Sequence, residues 1–117
     1  SVAHDSHNII GLGTNDDDIL DAINILIENK GGLAVAKNKK IDFLPLPIAG
    51  IMSDQPAELV ASEYERLSEL VKSFGCRMTA PFMTLSFMAL LVIPQLKISD
   101  RGLFDVRKFG FTDLFFD

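Results

Sequence analysis

The chain has 117 residues, 48% of them hydrophobic and 23% charged, with a net charge of −5. That length suits one domain, or part of one, with an apolar core, and the composition excludes an intrinsically disordered tail. The acidic balance opposes a phosphate backbone, and Lys37, Lys39 and Lys40 read as a solvated turn rather than a basic patch, so nucleic acid is not an expected partner.

Asn8 to Gly13 (NIIGLG) is short, apolar and glycine-punctuated, and reads as a strand entering a turn. Thr14 or Asn15 then offers an N-cap. Asp16, Asp17 and Asp18 occupy the first helical turn, where carboxylates meet the positive end of the helix dipole. At 100° per residue Ile19, Leu20, Ile23, Leu26 and Ile27 form one apolar stripe, with Asp17, Asp21, Asn24 and Glu28 opposite. Gly31 or Gly32 is expected to stop this helix.

Gly32 to Ala36 and Ile41 to Leu46 read as two strands around the polar break Lys37-Asn38-Lys39-Lys40, a hairpin signal. Pro45 and Pro47 end the second strand or place it at a sheet edge. Ser53 or Asp54 can cap a second helix with Pro56 in its first turn. Its apolar face carries Val60, Tyr64, Leu67, Val71 and Phe74, and Gly75 ends it. From Met83 to Leu91 the residues alternate in a way that argues for a strand with one buried face. A buried helix stays open, because a short apolar run does not settle the period. Leu96 to Ile98 reads as a short strand and Ser99 to Gly102 as a turn; the tail from Leu103 to Phe116 mixes strand-like residues with a break at Phe109-Gly110-Phe111. The expected fold is α+β, a mostly antiparallel sheet with two amphipathic helices packed on one face, forming a single unit over residues 1–117.

Cys76 is the only cysteine, which excludes an internal disulfide and favours a reducing, cytoplasmic setting. The longest apolar run, Phe87 to Pro94, falls far short of the ~20 residues of a spanning helix, so no membrane partner is expected. Ser1 in place of Met points to a chain trimmed or cut from a longer one.

His4, Asp5 and His7 are the only concentrated set of ligand-type side chains. Imidazole and carboxylate suit a metal or a tuned acid–base pair, so this segment is a candidate lining or cap of an active site. The plainer alternative is a loop whose Asp and Ser bond local backbone groups. A self-contained metal site is not expected, since it usually needs three ligands on a rigid element. One cysteine and no H-x-E exclude the zinc site of the cytidine-deaminase type. A complete metal-dependent barrel needs ~250 residues, more than this chain holds. Gly11-Leu12-Gly13 lacks the rest of either phosphate-loop pattern, and the three aspartates stand where a phosphate would sit. Leu44 to Asp54 (LPLPIAGIMSD) is long for a connection, and reads equally as a docking segment or as a crossover packed on its own core. Thr84 and Ser86 are candidate hydrogen-bonding residues or simply a polar strand face, and Cys76 beside Arg77 has the look of an incidental thiol.

Several of these stretches together resemble the C-terminal domain of adenine deaminases of the amidohydrolase superfamily. They are Ser1 to Asn8 (SVAHDSHN), Gly13 to Asp16, Gly31-Gly32, Leu44 to Gly50, Met52-Ser53-Asp54 and Pro81 to Phe87; Gly11-Leu12 is a minor departure. The resemblance implies a partial C-terminal domain whose catalytic barrel, on the same chain, hydrolyses adenine to hypoxanthine and ammonia in purine salvage. Manganese or iron is implied in that barrel and none in this fragment, which is expected to be inactive alone. His4, Asp5 and His7 then become candidates for lining the barrel mouth or a domain interface. A free-standing binding or oligomerisation module is the alternative, and a homo-oligomer remains open under either reading.

Overall fold

The computed structural model describes residues 1–3 and 8–115. Its elements are helix α1 (Asp16–Glu28), strands β1 (Gly32–Lys37) and β2 (Lys40–Pro45), helices α2 (Ala57–Ser73) and α3 (Pro81–Phe87), and strands β3 (Leu96–Ser99), β4 (Gly102–Asp105) and β5 (Gly110–Phe111). The fold is α+β, and every pairing among the described strands is antiparallel. The strands form two separate sheets, a β1–β2 hairpin and a β3–β4–β5 meander, rather than the one sheet expected.

α1 begins where the sequence places it. Asn15 is its N-cap, accepting from the Asp18 amide at 2.9 Å while donating to the Asp18 carboxylate at 2.8 Å. This reciprocal pair is a variant of the capping box. The stop differs in detail. Lys30, not a glycine, takes the left-handed conformation (φ 59°), and the amides of Lys30 and Gly31 bond back to Ile27 and Leu26. That is a Schellman ending with lysine at its αL position. Leu26 is buried, but Leu20 and Ile27 of the same stripe stay exposed, because a two-stranded hairpin covers less than the whole apolar face.

The hairpin is tighter than the polar break implies. Lys37 pairs with Lys40, which leaves Asn38 and Lys39 as the turn, at φ 52° and 64°. Positive φ at both central positions is the type I′ geometry that matches strand twist. Lysine is a poor occupant of that conformation, so Lys39→Gly is expected to stabilise the chain by about 1 kcal/mol in urea unfolding. An unchanged midpoint would count against the turn geometry.

Alternation puts Leu33 and Val35 of β1 on one face with Leu44 of β2. Against them α2 lays Val60, Tyr64, Leu67, Leu70 and Val71, with Phe82 of α3 closing the end. Leu67 is wholly buried, and Tyr64 meets Phe82 with ring centroids 5.8 Å apart. α1 packs against both strands, mainly β1. α2 starts later than the sequence expects: Pro56 is its N-cap, with no side-chain cap bond, while Ser53 accepts from the Gln55 amide just upstream. Its end is as expected, at Gly75 (φ 101°), with the Gly75 and Cys76 amides bonded to Lys72 and Val71.

Two expected strands are corrected. Asn8 to Gly13 forms none, since no neighbouring strand among the described residues pairs with it; the segment is largely exposed and runs past Ile19 and Ile23 at Gly11. Residues 81–87 are helical, not extended. Pro81 sits in the first turn with its φ already set, and the Thr84 amide reaches Ala80 at 2.9 Å. Met, Leu and Phe at these positions satisfy either period, and the proline start decides between them.

The meander packs chiefly on itself. Phe104 holds Phe109 and Phe111 edge-on at 5.6 and 5.5 Å, and the chain reverses at residues 100–101 between the paired Ser99 and Gly102. The buried polar side chains Ser68, Ser86, Lys97 and Asp105 are all hydrogen-bonded, as burial demands. Arg107 donates to Asp105 and holds its carboxyl below the ordinary aspartate range.

Candidate functional site

The candidate lining residues His4, Asp5 and His7 lie outside the described residues, but both flanks of their segment are described. On one side Ala3 is buried; on the other Asn8 and Ile9 are exposed. The buried flank is fixed by Ser1. Its hydroxyl accepts from the Gly32 amide at 2.9 Å and donates to the Gly50 carbonyl at 2.5 Å, while its amino nitrogen donates to the Gly32 carbonyl at 2.7 Å.

Ser1 therefore clasps two turns that are far apart in sequence, Gly31-Gly32 after α1 and Ala49-Gly50 in the long connection. Gly31 and Gly32 have φ of 126° and 149°, a region that L side chains avoid. A Cβ on Gly31 would also collide with the Gly50 backbone and come within 2.6 Å of the Ser1 hydroxyl. The clasp was not legible as such, although its members all fall within the stretches that carry the family resemblance.

The connection Leu44 to Asp54 is partly a packed crossover and partly open. Leu44 and Leu46 are buried, and Ile48 bridges to Met52 through mutual backbone hydrogen bonds of 3.1 Å. Ile48 and Met52 themselves are exposed. The buried part of the connection, with Ile51, helps line an apolar cavity of about 180 Å³ together with Leu33, Val60, Val2 and Phe82. Tyr64 and Ser86 are its polar members, and Ser86 is spent on the Met83 carbonyl at 2.8 Å.

The other candidates resolve into structural roles. Thr84 bonds the Ala80 carbonyl at 2.8 Å, in its own helix. At the start of α1 the Asp18 carboxylate accepts from Asn15 and from the Asn38 amide of the hairpin turn, the latter at 2.9 Å, so the acidic turn ties α1 to the hairpin. Lys37 sits 4.1 Å above the Phe74 ring, a cation–π contact that takes it out of any basic patch. Cys76 is an unpaired, half-buried thiol. Among the described residues no three His, Cys, Asp or Glu side chains converge as a metal would require. No described helix is long and apolar enough to cross a membrane.

Val2 beside the clasp, Leu44 and Leu46 of the long connection and Phe82 at the start of α3 line one cavity, and all four fall in stretches that resemble adenine deaminases. The family model described as adenine deaminase C-terminal domain matches residues 1–110. An adenine deaminase of Methanosarcina mazei is 55% identical over 117 residues, all of this chain and 21% of its own length. One of Salinibacter ruber is 53% identical over 118 residues, covering 100% of the chain and 22% of the relative. One of Borreliella burgdorferi is 53% identical over 114 residues, 97% and 21%. The chain belongs to the adenine deaminase C-terminal domain family. It spans about one-fifth of the length of these relatives.

Proposed function

We propose that this chain serves a larger adenine deaminase as a supporting domain, in an enzyme that converts adenine and water to hypoxanthine and ammonia for purine salvage in the cytoplasm. The observation that carries the reading is 55% identity along all 117 residues to an adenine deaminase about five times as long. The chemistry then belongs to the catalytic barrel of the same polypeptide. Manganese or iron would supply an activated water there, and no described residue of this chain is assigned to the metal. The fragment alone is inactive on this reading.

The part assigned here to His4, Asp5 and His7 is to line the barrel mouth or the domain interface and help exclude bulk water from the closed site. The flank supports that part: Ser1, three residues before His4, is clasped to Gly32 and Gly50, and Ala3 is buried. In the full-length enzyme, replacing both histidines with Ala is expected to lower kcat/KM roughly tenfold to a hundredfold, the range for a misplaced closing group. Steady-state kinetics on adenine, with a thermal melt of the same protein, measure it. Unchanged kinetics at unchanged stability would remove these residues from the site. Assaying deamination and bound metal for fragment and full-length protein side by side tests the larger claim, which activity in the fragment overturns.

A second reading, a module for self-association, is favoured by one observation. Ile98, Phe109, Phe111, Leu114 and Phe115 leave the end of the meander strongly apolar and exposed, as at many subunit contacts.

A further inference from the structure

Beside the cavity behind the long connection lies a second, wider hollow of about 550 Å³ lined by residues 51–55 and the first turns of α2. The two share Leu46, Ile51, Val60 and Tyr64 and so adjoin across those side chains, together making a depression with a common apolar wall. Its outer rim carries Met52, Gln55 and Ala61, and no charged side chain lines either part. Met52 and Ala61 are exposed there. At the inner end stands Val2, next to Ser1, whose backbone nitrogen is held 2.7 Å from the Gly32 carbonyl.

We propose that this depression seats the polypeptide that precedes the domain in the longer family members, packing apolar side chains on Leu46, Ile51, Met52 and Tyr64. The proposal rests on the reading of the chain as the C-terminal domain of a full-length adenine deaminase, and names the surface by which it joins the rest. Two observations select this occupant over others. Ser1 is held on Gly32 and adjoins Val2, which lines the smaller hollow, so polypeptide preceding Ser1 enters next to that hollow. The relatives also carry about four-fifths of their length outside the matched region, which supplies ample chain to cover it. A tethered partner sits at high effective concentration, so a shallow apolar seat is enough to hold it. The absence of charge in the lining fits apolar side chains and gives an anionic ligand nothing to pair with.

The experiment is site-specific photo-cross-linking in the full-length polypeptide. A benzophenone side chain is placed at Met52, which is exposed and bonded through its backbone alone, with Lys39 at the far hairpin turn as the control. The expected result is an intramolecular link from position 52 to residues preceding Ser1, absent from position 39. Links joining two chains, links from position 52 confined to this domain, or equal linking from both positions would each overturn it. Adenine deamination is assayed on the same unirradiated protein. An upstream link without deamination upholds the docking surface and defeats the functional reading; deamination without that link does the reverse.

Discussion

Leu67→Ala is expected to destabilise the chain by about 3 kcal/mol, the middle of the range for emptying a fully buried leucine site. Leu67 has no exposed surface, and Val35 and Leu44 on the strands press against it from the hairpin. Those two neighbours sit on paired, hydrogen-bonded strands, so they cannot move far to fill the space left behind. A loss of that size is a large part of the stability of a domain this small. Urea unfolding followed by circular dichroism measures it. The matched control is Leu20→Ala on α1, where the side chain is exposed and the change should stay within about 0.5 kcal/mol. Equal losses at the two positions would show that the core is not centred on α2.

Gly31→Ala is expected to be comparably damaging, for a different reason. The backbone at Gly31 is at φ 126°, where an L residue is strained by about 1–3 kcal/mol before any contact is counted. The added methyl would then push into the Gly50 backbone and the Ser1 hydroxyl, and backbone is the neighbour least able to yield. Loss of the Ser1 hydrogen bonds to Gly32 and Gly50 should accompany the strain. Ser1→Ala, which removes those bonds without adding bulk, is expected to lower the urea midpoint by less. If Gly31→Ala melts with the parent, the clasp is not part of the folded state.

Much of the layered part of the fold is legible in the sequence because its signals are local. The stripe from Ile19 to Ile27, the face from Val60 to Phe74 and the apolar runs beside Lys37 to Lys40 each state their period within a few turns. Asn15 and Gly75 mark helix ends by chemistry that acts within three residues. The errors fall where a pairing partner is missing or where the local signals conflict. Asn8 to Gly13 has strand-like residues but no partner strand among the described residues, and a strand exists only through its ladder. Residues 81–87 fit two periods, and Pro81 decides between them as the first helical residue. Lys30 and Lys39 in positive-φ positions break the usual rule that such places belong to glycine or asparagine, so they could not be anticipated. The site was legible only in outline. The resemblance of the clasp stretches and of LPLPIAGIMSD pointed to the family, but Ser1 meeting residues 31 and 49 places further along the chain leaves no periodic trace.

Those long separations bear on the order in which the protein assembles. The β1–β2 hairpin and the two helix endings close short loops, so their contacts form cheaply and early. The Ser1 clasp must close loops several times longer, at a larger entropic cost. It is therefore expected to lock after the rate-limiting step, with the hairpin and α2 already docked. Ser1→Ala should then accelerate unfolding in stopped-flow measurements while leaving the folding rate nearly as it was. The clasp in this sense acts as a latch on the lifetime of the folded domain rather than as part of the nucleus that builds it.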